Sequence, residues 1–454
     1  MILNREMELA YLYQCYEKAG SQLVVVYGQK NIGKKMLLKE FTSNKPNYYF
    51  KACASTERQQ QYLWANELRM DGKEIQEYPS YHEIFSMMNN INSQKFIYII
   101  DDFSYLTKTN QSFMNDIIKL LHNDESKKEV LVILCSSSVG FVENNMVSII
   151  GKAAFEISGF LKIKELGYFD ILSYYTNYSK QECLQVYSIL GGVPGLWNYF
   201  DDSISVKKNI CLKILQAGSA LQDEGSRIIK DELRELSVYS TILSTIAGGK
   251  HKLNDLYIHT SFSRAKISVY LKNLMELEII EKVNSFETPA RENTQKGLYR
   301  IANHVVNFYF CYIYPHVSKL NQIGVEEFYE RFISKQLNQY VSNYFEKVCM
   351  QYMEKQNNEG ALPIKFIKNG EWVGKVGTIP IIAENEMGEF IIGICNYESK
   401  TMPYDDYEWL LFCASKAKME ATYFYLFTVN GFDKMILQEA SSNTNLKIVL
   451  LDDF

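Results

Sequence analysis

An α/β class with a parallel sheet at its N-terminal end is the fold that three observations predict. Short apolar runs alternate with amphipathic helical stretches over residues 1–160. The first run closes on a turn framed by two glycines, and a helical pattern starts inside that turn. The third run closes on two consecutive carboxylates. Later in the chain, after a long helical stretch, a second α/β pattern begins.

Four runs have the look of strands buried on both faces of a parallel sheet. They are residues 23–27, closed by Gly28; 48–51; 96–100, closed by Asp101 and Asp102; and 130–135, closed by Ser136, Ser137 and Ser138. From residue 163 to about 230 the pattern is helical, split by Gly191-Gly192-Val193-Pro194. Residues 239–246, 253–259 and 263–277 then read as three helices, the last capped near Ser261 or Ser263. Residues 279–283 and 298–301 read as a hairpin with a long loop. Three helices and a hairpin make a winged helix. Residues 304–325, rich in Phe and Tyr, read as a packed connection. A helix running through Phe345-Glu346, strands near 377–383 and 390–395, a helix at 407–417 and strands at 421–426 and 447–451 complete the chain. The expected divisions are a core at 1–162, a helical lid at 163–230, a winged helix at 231–318 and a second α/β domain at 319–454.

Composition bounds the rest. A chain of 454 residues is too long for one ordinary core, and 47% apolar with 22% charged residues is normal for a folded soluble protein. The formal net charge of −5 argues against a coat of basic residues, though not against one local basic face. No stretch reaches the roughly 18 continuous apolar residues of a membrane span. The opening residues lack the basic start and apolar middle of a signal peptide, so a cytoplasmic location is expected. The nine cysteines form no CxxC pair and no zinc-ligand spacing, and read as buried thiols of a reducing compartment.

Gly28-Gln29-Lys30-Asn31-Ile32-Gly33-Lys34 fits G-x-x-x-x-G-K. The glycines let backbone N–H groups close around phosphate oxygens, and Lys34 reaches the outer phosphates. The helix that follows points its positive dipole end at the same anion. The implied ligand is ATP or ADP. The eighth position departs from the pattern. A hydroxyl normally stands there to hold Mg²⁺, and here it is Lys35. Two readings follow: Lys35 points away and water fills the metal position, or magnesium binds weakly and nucleotide is held without efficient turnover. The strand ending in Asp101-Asp102 supplies the second element. Asp101 is the expected metal ligand, and Asp102 stands where a glutamate usually polarises the attacking water, a methylene short. Ser137, within the serine run, is a γ-phosphate sensor or part of a plain turn.

This order of parts resembles the prokaryotic AAA/STAND-type P-loop ATPases of the archaeal type. These join a P-loop core and lid to a winged helix and a C-terminal restriction-endonuclease-like domain. The resemblance is carried by Asn4-Arg5-Glu6, the P-loop, Ile99-Ile100-Asp101-Asp102-Phe103, Leu134-Cys135-Ser136, Leu190-Gly191-Gly192-Val193-Pro194 and Leu298-Tyr299-Arg300-Ile301-Ala302. It implies a base-binding role around Leu3 to Glu6, with a surface ion pair the alternative for Arg5. Where such proteins show an arginine after a glycine downstream of the sensor, this chain has Gly151-Lys152, which keeps the charge without the bidentate fork. The nuclease-like set of the family is reduced here to Glu346. The Glu-Ile-Asp strand reads Thr378-Ile379-Pro380 and the Glu-Cys-Lys strand reads Ile394-Cys395-Asn396, while Glu384, Glu386 and Glu398 do not recreate the spacing. Metal-dependent cleavage needs those carboxylates and that lysine, so an inactive nuclease fold is expected. On the third helix of the winged helix, Ile267, Leu271 and Leu274 face the core, leaving Arg264, Lys266, Tyr270 and Lys272 outside. DNA and a protein surface are both open as partners, and so is oligomerisation. Two functions remain in play, a nucleotide switch with slow hydrolysis and an ATPase working on DNA.

Overall fold

A computed structural model describes residues 4–88, 94–107, 112–122, 129–287 and 297–454. The chain folds into two compact units, Met1–Glu165 with Val193–Gly195 and Leu166–Gly192 with Leu196–Phe454.

The first unit is built on a parallel sheet of five strands in the order β2-β3-β4-β1-β5. These are β1 (Gln22–Tyr27), β2 (Asn47–Lys51), β3 (Phe96–Asp101), β4 (Val130–Ser136) and β5 (Ile157–Lys162). Every residue of β1 and β4 is buried, as continuous apolar runs require at the centre of a sheet. Four strands are legible in the sequence. The fifth, β5, was not expected as a strand: it is an edge strand with partly exposed alternate positions and an interior Ser158-Gly159, so it lacks the apolar run. Helices Glu6–Glu17, Lys34–Thr42, Glu57–Met70 and Ser112–Leu121 are among those that accompany the sheet. Their sequence signals are local ones: Thr56 accepts from the Gln59 N–H at the start of one helix, and Ser80 and Glu83 form a reciprocal capping box at another. Phe50 packs on Trp64 at 4.7 Å within the core that seals the face under β2 and β3.

The second unit begins with helices that include Tyr168–Tyr174, Lys180–Leu190 and Glu224–Glu232. Helices Leu236–Ala247, Leu253–Thr260 and Arg264–Glu276 then share one apolar core with the antiparallel pair β6 (Ile280–Val283) and β7 (Leu298–Ile301). Ser263 caps the third of these helices by accepting from the Lys266 N–H. The chain continues through the helix Leu337–Glu359 into a second sheet, order β12-β11-β10-β9-β8. Its strands are β8 (Lys368–Val373), β9 (Thr378–Glu384), β10 (Phe390–Asn396), β11 (Ala421–Thr428) and β12 (Leu446–Leu450). β8 to β10 pair antiparallel and β10 to β12 parallel. β8 and the helix Lys434–Ser442 were not anticipated; β8 reads Lys-Asn-Gly-Glu-Trp-Val and has one buried residue, so its apolar signal is weak. Among the described residues no helix is long and apolar enough to cross a membrane. All nine cysteines are free thiols.

Candidate functional site

In open α/β sheets ligands gather at the carboxyl ends of the strands, and the loop after β1 lies there, in the middle of the sheet. Gly28 has φ +157°, and a Cβ on it would fall 2.5 Å from the Ile163 carbonyl oxygen. No side chain fits. The Gly28 N–H donates to the Ser136 carbonyl at 3.3 Å, which ties the loop to the end of β4. Asn31 at φ +64° and Gly33 at φ +101° turn the loop into a concave backbone of the kind that collects anions. The helix Lys34–Thr42 then opens with no side chain capping its first amides, so those donors remain for a ligand. Ile32 is buried beneath the loop, while Lys30 and Asn31 are exposed and Gln29 is half-buried.

Lys34 is only 8% exposed. Its ammonium donates to the carbonyls of Gly28 at 2.6 Å and Gln29 at 2.9 Å. Burial holds its pKa below that of a free lysine, opposed by the nearby Cys135, Asp101 and Asp102. A phosphate in the loop would add an anion within direct reach of this cation, beside the two carbonyls it now meets.

Arg5, on which base contact and a surface ion pair were both open, is buried at 6% exposure. It donates to the carbonyls of Lys164 at 2.8 Å and Ile32 at 3.4 Å, and pairs with Glu8 at 2.8 Å. The guanidinium therefore braces the phosphate loop from behind. Leu3 lies outside the described residues. Changing Arg5 to lysine is expected to lower stability by about 1–2 kcal/mol, because one ammonium cannot serve those diverging acceptors; thermal melting checks it, and an unchanged midpoint would contradict the brace.

At the end of β3 the two carboxylates are already occupied. Asp101 accepts from the Tyr49 hydroxyl at 2.5 Å and from the Lys51 ammonium at 2.9 Å. Asp102, held at φ +54°, accepts from Lys51 and, at 3.4 Å, from the Ser137 hydroxyl. Left-handed backbone at a non-glycine residue is tolerated best by Asp and Asn. The Asp101 hydrogen bond, after burial, pushes the Tyr49 phenol up, so it stays a donor. Lys35 is exposed, its ammonium 5.5 Å from the centre of the Tyr49 ring. This arrangement does not fit a magnesium ion. The eighth loop position offers no oxygen, both Asp101 oxygens already take donors, and an ammonium bridges the two carboxylates. Among the described residues no group of three or more His, Cys, Asp or Glu side chains is arranged to hold a metal.

Tyr49, Lys51 and Gly195 are at this site and escaped the sequence reading. Lys51 ends β2, and parallel pairing of β2 with β3 sets it opposite Asp101. Only the strand order reveals that. Gly195 donates its N–H to the Asn31 carbonyl at 3.0 Å, and a Cβ there would lie 2.7 Å from that oxygen. The residue just past the Gly191–Pro194 break is thus a close approach to the phosphate loop. Gly151 and Lys152 are exposed.

In the second unit, Arg264, Lys266 and Lys272 are exposed. Arg264 bonds Asn254 at 2.7 Å, Lys266 lies over Phe262, and Lys272 is 3.7 Å from Glu276. Tyr270 does not stand outside with them: it is half-buried, 4.7 Å from the Tyr239 ring, so its apolar area is spent on the core. Glu346 lines a cavity of about 670 Å³ together with Arg300, Lys347, His251, Tyr340 and Tyr344. Burial, with Glu371 adding to it, raises its carboxyl to about 7 against the pull of Arg300 and Lys347. Both cations have nearer partners: Arg300 grips Glu371 with two bonds of 2.6 and 2.8 Å, and Lys347 meets Glu281 at 2.7 Å. Asn396, at the end of β10, donates to Asp406 at 2.5 Å.

Comparisons with known proteins agree with this picture of the first unit. Residues 2–200 match a family described as an ATPase domain predominantly from Archaea, and residues 309–405 match one described as archaeal and bacterial proteins of unknown function. The N-terminal part is thus an archaeal-type ATPase domain with a P-loop fold. An uncharacterised protein of Methanocaldococcus jannaschii is 26% identical over 396 residues, 85% of each chain. A 45-residue stretch is 38% identical to an ATP-binding protein of the same organism, covering 10% of this chain and 76% of that one. The Walker-type ATPase of Pyrococcus abyssi shares the fold with a TM-score of 0.50 at 18% identity, over 68% of this chain and 96% of that one.

Proposed function

We propose that the chain is a nucleotide-dependent switch that holds ATP or ADP on the loop from Gly28 to Lys34 and hydrolyses it slowly or not at all. One observation carries the reading: a buried lysine and a loop with positive φ at Gly28, Asn31 and Gly33 converge at an uncapped helix start. Slow turnover is supported by Asp102, whose carboxylate is short and already bonded to Lys51 and Ser137. The C-terminal domain keeps a nuclease-like architecture as a binding or structural part, with Glu346 spent inside a cavity. The three helices and hairpin act as a winged helix that docks on protein or on the chain itself. The exposed Arg264, Lys266 and Lys272 favour DNA as the alternative partner, with an active ATPase behind it.

Phosphate release, followed by malachite green with and without duplex DNA, separates the two. Retained nucleotide with no phosphate release supports the switch. DNA-stimulated turnover that vanishes in Lys34→Ala overturns it in favour of the ATPase. Restoring a hydroxyl with Lys35→Thr is expected to raise magnesium-dependent phosphate release, on the order of tenfold; no increase would count against the account of the eighth position.

A further inference from the structure

We infer that Lys51 and Lys35 replace the divalent cation of this site, so that nucleotide binds without metal. The inference rests on the proposed nucleotide site and adds what neutralises its ligand.

The geometry is specific. The Lys51 ammonium bridges Asp101 and Asp102, the pair that would hold a metal directly or through water. Its side chain remains 52% exposed, so it is not sealed away from a ligand. Its backbone is fixed: the Lys51 carbonyl accepts from the indole N–H of the fully buried Trp64 at 2.9 Å, and β2 pairs with β3 in register at Asp101. Lys35 stands on the same side through Tyr49: its ammonium lies 5.5 Å from the centre of the ring whose hydroxyl donates to Asp101.

Charge accounts for the substitution. Two ammonium groups carry the charge of one divalent cation, so beside Lys34 and the two aspartates the site keeps the balance that a magnesium ion would give it. What it gives up is the ordered coordination shell. Ammonium groups are compact donors that bind phosphate as point charges and do not lower the pKa of a bound water as a metal does. A site of this kind grips a triphosphate and does little to it.

The test is equilibrium binding of the fluorescent analogue mant-ATP to the full chain, in EDTA and in excess magnesium. The wild-type affinities are expected to agree within about threefold. Lys51→Met should weaken binding in EDTA by about tenfold or more, and Lys51→Arg, which keeps the charge, should retain most of it. Binding in magnesium about a hundredfold tighter than in EDTA would overturn the inference and leave the nucleotide site standing. So would a Lys51→Met chain, melting like wild type, whose affinity in EDTA is unchanged. If Lys51→Met fails to fold, the wild-type comparison decides by itself. No binding in either buffer would sink the nucleotide site and the inference together.

Discussion

Lys34→Ala is expected to lower nucleotide affinity by about a hundredfold or more. The reason is the position of the ammonium. Lys34 is buried at the first turn of its helix and its Nζ lies against the carbonyls of Gly28 and Gln29. A cation so enclosed interacts with a phosphate in a low-dielectric setting, where each charge-assisted bond counts for more than at the surface. Alanine also strips two loop carbonyls of their donor, so the ligand-free chain should lose about 1–2 kcal/mol of stability. Titration calorimetry with ATP measures the first effect and thermal melting without ligand the second. An alanine variant that binds ATP as tightly as wild type would remove Lys34 from the site.

Glu346→Gln carries the other large effect, on stability and with a definite pH dependence. The carboxyl titrates near 7 in the folded chain, well above a free glutamate, because burial and Glu371 disfavour its charged form. A raised carboxyl leaves the folded state holding a proton that the unfolded chain gives up. The penalty is absent at low pH, grows as pH rises through the interval between the two pKa values, and is complete above about 7. Glutamine never ionises and escapes it. At about pH 8 the variant should be more stable than wild type by roughly 1–3 kcal/mol, and most of the gain should vanish by about pH 5. Denaturant melts at the two pH values give the difference. A gain that is equal at both would mean that the carboxyl is not raised, and a loss confined to high pH would mean that the carboxylate is stabilised inside the cavity.

How much of this was legible in the sequence depends on where each signal resides. The phosphate loop is local: its glycines, lysine and flanking strand and helix are consecutive, and the fold places them as the spacing implies. Buried strands such as β1 and β4 announce themselves by unbroken apolar runs. Edge strands do so less evenly: β2 and β12 keep enough apolar residues to be read, whereas Ser158-Gly159 in β5 and Lys368-Asn369-Gly370-Glu371 in β8 leave no apolar run. Lys51 was missed for another reason. Nothing in residues 47–51 says that β2 will lie beside β3, yet that pairing alone brings its ammonium to Asp101 and Asp102. The helical period on 264–276 placed Ile267, Leu271 and Leu274 correctly in the core, but left Tyr270 outside. A long aromatic side chain at the margin of an apolar stripe can turn inward to a neighbour such as Tyr239, and periodicity carries no record of that.

The nucleotide content of the purified protein addresses the central claim most directly. The chain is denatured and the supernatant run on an anion-exchange column, and an empty preparation is then titrated with ATP and ADP. The account predicts bound ADP or ATP approaching one per chain, or saturable binding by the empty protein that is lost in Lys34→Ala. A preparation that carries none and binds neither nucleotide would contradict it.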